Sequence, residues 1–418
     1  MSIKDKLANT NKIYFTVYAT TVTFILYSCC YAFRKPFTTG LYEGDKLWGL
    51  DMKTVFIMAE IIGYALSKMV GTYILPSVQK HKRVYYIIGL LSFSELAWLG
   101  FAVFPNGMKI LCAMLSGLPL GMIWGLVFSY VEGRRVSELI NVGISVAMIV
   151  ASGLVKTLAQ TLMNQIAVTE YWMPFATGLS AFPLMLISCY LLEQIPEPSE
   201  NDKVQRSERL PMNDAEKKAF IKEYSLGIVM LFMLFGSLTI FRELRDSFAA
   251  NVWSENNVSN PWVFTKTEYP IAFIVLLLMC VTVFMRNNRK AINYMYVIAM
   301  IGAAITLAAT YAFVQNKIDP VLWMTMIGVG LYMGYTIFTY LIDRLIAAMR
   351  ITSTAVFFVY LIDSFGYLGT AGVFIFKNFS SMEISWTVTI IYAAIIASAI
   401  SVMMVIGSYF YFNRKMER

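Results

Sequence analysis

Tyr31-Ala32-Phe33-Arg34-Lys35 closes the first long apolar run of the chain, and Thr239-Ile240-Phe241-Arg242-Glu243 closes the seventh. In each, an arginine follows a phenylalanine after roughly 20 mostly apolar residues, enough to cross the hydrocarbon core of a bilayer. An arginine buried in a membrane costs about 2.5–3.5 kcal/mol on insertion scales, so it is kept where it has a task. Guanidinium presents a planar fork of donors that fits phosphate or carboxylate oxygens and stays charged at any biological pH. Two of them at matching places in two halves of one chain point to a paired anion site. The plainer alternative is that both snorkel at the outer ends of their helices. Roughly 20 residues at about 1.5 Å each already span about 30 Å, which favours that alternative unless the first helix continues to about Gly40 and draws Arg34 inward.

The composition sets the class. Of 418 residues, 58% are hydrophobic and 14% charged, more apolar surface than a water-soluble chain of this length hides. The charges are excluded from long stretches and gathered into short ones. The net charge of +8 therefore reflects loop lysines and arginines rather than a nucleic-acid partner. Cys29, Cys30, Cys112, Cys189 and Cys280 all fall inside apolar runs, so neither a disulfide framework nor a metal knuckle is expected. The lone histidine, His81, lies in a basic loop, which leaves no histidine for a membrane proton relay or a Ser-His or Cys-His nucleophile. There is no Walker-type phosphate loop. The chain is not expected to be an enzyme or to need a cofactor, and its partners are the lipid bilayer and a small solute.

Hydropathy gives twelve spans, at about 13–35, 52–76, 84–104, 107–131, 138–163, 171–193, 224–248, 265–285, 291–314, 320–342, 351–377 and 384–412. Lys4, Lys6, Lys12, Lys80, Lys82, Arg83, Arg134, Arg135, Arg286, Arg289, Lys290, Arg344, Arg350, Arg414, Lys415 and Arg418 fall on one side if the spans alternate. The positive-inside rule puts that side, with both termini, in the cytoplasm. A multi-pass protein of a bacterial inner membrane, acting as a monomer, is the expectation. The hydrophilic segment 194–222 divides an N-terminal six-span half, 1–193, from a C-terminal one, 223–418. It reads as a cytoplasmic linker, with a short capped helix starting at Asn213-Asp214-Ala215-Glu216.

An internal repeat supports two related halves. Phe33-Arg34 matches Phe241-Arg242, and Phe128-Ser129-Tyr130-Val131-Glu132-Gly133-Arg134 after span 4 matches Phe338-Thr339-Tyr340-Leu341-Ile342-Asp343-Arg344 after span 10. Parallel six-span halves are the architecture of the major facilitator superfamily, an all-α membrane fold of two pseudo-symmetric six-helix halves. Small residues recur at helical spacing in Gly63, Ser67 and Gly71, in Gly117, Gly121 and Gly125, and in Gly366, Gly369 and Gly372. Such faces let helix backbones approach closely, for static packing or for sliding.

Within that superfamily, Tyr31, Arg34, Lys35 and Phe37, then Gly63, Tyr64, Ser67 and Lys68, then Phe365, Gly366, Tyr367, Leu368 and Gly369 resemble segments of the organophosphate:phosphate antiporters, the glycerol-phosphate and hexose-phosphate transporter family. The resemblance implies that Arg34 and Arg242 bind the substrate's phosphate, with Arg245 close enough to compete, and that Tyr31 and Tyr64 lie near it. Ser77 to Arg83 carries no acid where the family has an aspartate, and Ile144 or a neighbour stands near the place of its span-5 histidine.

Other intramembrane charges are candidates for coupling or gating. Lys35 neighbours Arg34 but projects about 100° away around a helix, so it faces the solute or anchors at the interface. Lys156 in span 5 and Asp363 in span 11 form a candidate pair across the halves. Glu60, Glu95 and Lys68 also lie in spans, and Glu243 can neutralise Arg242, Arg245 or Lys35. Trp124, Tyr360 and Tyr367 are further candidate cavity residues. The leading expectation is a secondary transporter of a small anionic solute by alternating access, coupled to exchange or to protons. A carrier of a neutral or sugar-like solute with structural arginines is the second reading, and a transporter-like sensor without flux the third.

Overall fold

The computed structural model describes residues 3–197, 214–348, 366–375 and 384–416, apart from 45, 48, 76, 77, 133, 135, 286, 337 and 368. Its elements are helices set by capping residues and broken by proline. Helix α1 covers Ile3–Ala8 and α2 covers Lys12–Ala32. Asn11 caps α2 by accepting the Ile13 N–H at 3.0 Å. The expected first span ran to residue 35, but α2 stops at Ala32 and a 3₁₀ turn follows over Pro36–Thr39. Pro36 has no N–H to continue the helical ladder.

Helices α3 (Met52–Ile74), α4 (Arg83–Val103), α5 (Asn106–Leu120), α6 (Ile123–Phe128), α7 (Ser137–Ile166) and α8 (Met173–Glu193) follow. The expected span 107–131 is thus broken in two, with Pro119 lying two residues before the break. A two-residue antiparallel ribbon, Lys46–Leu47 with Leu50–Asp51, precedes α3 and turns through Gly49 at φ 80°.

Helix α9 runs unbroken from Asp214 to Ser247. The helix is present where the sequence expects one to start, but it is not short, and the capping Asn213 lies outside the described residues. No proline interrupts residues 214–247, so the amphipathic start merges with the apolar run. Then come α10 (Ala249–Glu255), α11 (Val263–Phe284), α12 (Asn288–Val314), α13 (Pro320–Tyr335), α14 (Phe338–Ala348) and α15 (Trp386–Met416). Asp319 caps α13 by accepting the N–H groups of Val321 and Leu322, with Pro320 at the first helical position.

Eleven helical stretches among the described residues, with α5 and α6 taken together and α13 with the start of α14, are long and apolar enough to cross a membrane, and they match eleven of the twelve expected spans. Most of the remaining span, 351–377, lies outside the described residues; 366, 367 and 369–375 within it are helical. Leu96, Ile187, Phe273 and Met403 stand exposed on their helices, a surface that lipid covers. This is a multi-pass, all-α membrane fold.

The chain divides into two compact units. One comprises Met1–Ser207, Ser247–Tyr269 and Phe374–Met382; the other comprises Glu208–Asp246, Pro270–Val373 and Glu383–Arg418. In the first, α2 packs on α7 and α8, α4 on α5 and α8, and α3 on α5. The α3–α5 seam is a backbone contact: a side chain at Gly63 would strike the Met114 carbonyl, and one at Gly117 the Glu60 carbonyl. That seam fixes the height and rotation of Glu60 on α3. In the second unit α12 packs on α13, α14 and α15.

Candidate functional site

The first arginine site is built on an exposed helix end. Because α2 stops at Ala32, the Phe33 carbonyl has no partner in the helix. Trp98 and Ser94 of α4 supply one each, Trp98 Nε1 donating at 2.6 Å and Ser94 Oγ at 3.2 Å. Farther along, the Glu170 carboxylate accepts the N–H groups of Leu41 and Tyr42 at 2.7 and 2.9 Å. Burial, and then the neighbouring Glu170 and Tyr171, hold the Tyr42 phenol well above its ordinary pKa, so it stays neutral. The segment between these anchors is buried from Phe33 through Gly40.

Arg34 sits in that segment with 5% of its surface exposed. Its Nε donates to Glu60 Oε1 at 2.8 Å, and its guanidinium lies 3.6 Å from the centre of the Tyr64 ring. Glu60 and Tyr64 are four residues apart on α3, so one helix face presents both. Lys68, one further turn along, places its ammonium 4.9 Å from the same ring. Lys35 is also buried, at 3% exposure. Tyr31 packs with Ala32, Ala151 and Val155, edge-on to Tyr27. Lys156, also on α7, is buried at 3% exposure. Its expected partner Asp363 lies outside the described residues, as do Tyr360 and Phe365.

The second arginine site is built differently. Arg242 Nη2 donates to Glu243 Oε1 at 2.6 Å and to the Tyr367 hydroxyl at 2.6 Å. The guanidinium lies 4.6 Å from the centre of the Tyr335 ring and 5.6 Å from that of Tyr367. Arg245 is occupied elsewhere: Nε and Nη2 both donate to the Met324 carbonyl, at 3.2 and 3.0 Å. Gly328 leaves room for it, since a side chain there would meet Nη2 at 2.7 Å.

Both guanidiniums are thus buried, each joined to a carboxylate and each laid on a tyrosine ring. Cation–π contact of this kind contributes about 0.5–2 kcal/mol. Both arginines are enclosed by protein at 5% exposure each. Glu60, a candidate for coupling or gating from the sequence, is bonded to Arg34.

Residues 36–415 match the family of unknown function DUF5690. The chain belongs to that family. No curated protein matches the sequence. Among solved structures, the fold is similar to that of the nucleoside transporter NupG and of a mutant form of the same transporter, each with a TM-score of 0.62, at 12% and 13% identity. In both cases the match covers 96% of this chain and 99% of the other. A D-xylose-proton symporter matches with a TM-score of 0.61 at 13% identity, over 96% of this chain and 97% of its own. The family member described here therefore has the major facilitator fold.

Sequence reasoning missed three charged residues that the fold uses. Lys53 donates to Asn251 Oδ1 at 2.6 Å, Glu170 anchors the Leu41–Tyr42 backbone, and Glu268 is buried against Gly153. Lys53 and Glu268 stand within the first turns of their helices, where hydropathy assigns charges to the interface. Glu170 stands in a short connection that offered no spacing to read. Glu95, a candidate from the sequence, is buried on α4 beside Gly178, its carboxyl oxygens making no hydrogen bond among the described residues.

Proposed function

We propose that the protein is a secondary transporter of a small anionic solute, coupled to protons and working by alternating access. The observation that carries this reading is the repeated group of buried arginine, carboxylate and tyrosine at Arg34–Glu60–Tyr64 and at Arg242–Glu243 with Tyr335 and Tyr367. A carboxylate that holds an arginine occupies the place a solute phosphate or carboxylate takes. When Glu60 or Glu243 accepts a proton, its hold on the guanidinium weakens and the fork of donors becomes free for the solute. Release of the solute lets the carboxylate lose its proton and return. Anion and proton then move together. The tyrosine ring keeps the guanidinium flat and in place while its partner changes. The reading also takes the basic loops and both termini to be cytoplasmic, and the chain to comprise two six-span halves.

A second reading is favoured by the charge balance itself. Each arginine is already neutralised, so the pairs serve equally as fixed polar walls for an uncharged solute. The similarity of fold to a nucleoside transporter and a xylose symporter is consistent with that reading.

The deciding experiment is uptake into proteoliposomes that carry a pH-sensitive dye, with inorganic phosphate, glycerol 3-phosphate, succinate, xylose and uridine as solutes. The proposal expects uptake of at least one anion, with proton entry that Glu60→Gln and Glu243→Gln abolish. Uptake of xylose or uridine with no anion carried would establish the second reading instead.

A further inference from the structure

Away from the arginines, the unit formed by residues 1–207, 247–269 and 374–382 contains an open cavity of about 470 Å³. It lies at the end of the helices where α7 finishes and α11 begins, with α10 and the loop 256–262 on its other side. Its frame is firmly held. Thr157 Oγ1 of α7 lies 2.7 Å from Thr265 Oγ1 of α11 and donates to the Pro261 carbonyl at 3.1 Å. Gly153 permits that approach, since a side chain there would meet the Phe264 carbonyl at 2.8 Å. Lys53 ties α10 to α3 through Asn251.

The wall has a distinctive chemistry. None of its lining residues is an acid, a base or a histidine. Four are amides, Gln160, Asn164, Asn257 and Asn260, and each amide carries both donors and an acceptor. Trp253 and Phe264 line it together, edge to face at 6.4 Å. Trp253 is 3% exposed, and its Nε1–H has no acceptor among the described residues. A buried indole N–H normally finds a partner, and this unmet donor stands on a residue of the cavity wall.

We propose that this cavity binds an uncharged polyhydroxylated solute of monosaccharide to disaccharide size. Hydroxyl groups are donors and acceptors at once and match amides that are the same. A sugar's C–H face suits the aromatic pair, and the volume falls within the range of about 300–1,000 Å³ that small-molecule sites occupy. A wall without formal charge gives an anion or a cation nothing to pair with. The site goes beyond the proposed transport reading and does not depend on the arginines.

The test is equilibrium binding of radiolabelled glucose, maltose and sucrose to the purified full-length protein in nanodiscs, with radiolabelled glycerol 3-phosphate as the charged probe. At least one sugar is expected to bind saturably, and Trp253→Phe, which removes the donor and reduces the aromatic face beside Phe264, is expected to weaken that binding tenfold or more. Asn164→Leu, at an exposed position near the end of α7, is expected to weaken it as well and serves should the tryptophan variant misfold. No saturable binding of any of the three sugars, sugar binding unchanged by the substitutions, or glycerol 3-phosphate binding that the substitutions weaken would overturn the proposal.

Discussion

The two arginine sites use the same chemistry but are assembled in opposite ways. Arg34 follows a terminated helix and takes both its carboxylate and its ring from one face of α3. Arg242 lies inside a continuous helix, takes its carboxylate from the next residue, and reaches two tyrosines outside α9, Tyr335 and Tyr367. In the first site the ion pair is the link between elements. In the second the ion pair is local, and the Tyr367 hydroxyl makes the link. The same loss of charge therefore has different structural consequences in the two places.

That contrast can be broken by measurements of unfolding stability on the purified protein. Glu60→Ala leaves Arg34 buried without its carboxylate and is expected to cost about 3–5 kcal/mol, most of it recovered when Arg34→Met is added. Glu243→Ala is expected to cost less, about 1.5–3 kcal/mol, because Arg242 keeps the Tyr367 hydroxyl. The reverse order would contradict the contrast. Tyr367→Phe removes a hydrogen bond from a charged donor and is expected to cost about 1.5–3 kcal/mol. Gly117→Ala presses a methyl onto the Glu60 carbonyl across the α3–α5 seam and is expected to cost about 1–3 kcal/mol. Tyr64→Phe keeps the ring face beneath Arg34 and is expected to change stability by less than about 0.5 kcal/mol. An effect of Tyr64→Phe equal to that of Tyr367→Phe would mean that the ring face does not explain Tyr64.

The fold was legible because bilayer crossing imposes long apolar runs, and such runs survive any detail of packing. Helix ends were less legible. Pro36 stops α2 three residues before the expected boundary, and the absence of proline lets α9 start at Asp214 instead of near residue 224. The arginines stand out by their cost in a membrane, and Tyr64 by its motif. The Glu60–Tyr64 face was implicit in a spacing of four residues, but nothing in the spacing said that Arg34 meets it. That depends on how the chain turns after Ala32, which Trp98, Ser94 and Glu170 decide from distant positions. The bonds from Arg245 to the Met324 carbonyl are likewise hidden in the sequence, because they depend on a missing side chain at Gly328. The amide-lined cavity escaped notice for a simpler reason: Gln160, Asn164, Asn257 and Asn260 are ordinary residues until the fold gathers them.

The central claim is that Arg34 and Arg242 receive the solute while Arg245 supports the backbone. It is tested most directly by counterflow of the solute identified by uptake, measured side by side in wild type, Arg34→Ala, Arg242→Ala and Arg245→Gln proteoliposomes of equal protein content. The account predicts that flux is lost in the first two variants and retained in the third. Wild-type flux through folded, monodisperse Arg34→Ala and Arg242→Ala proteins would contradict it.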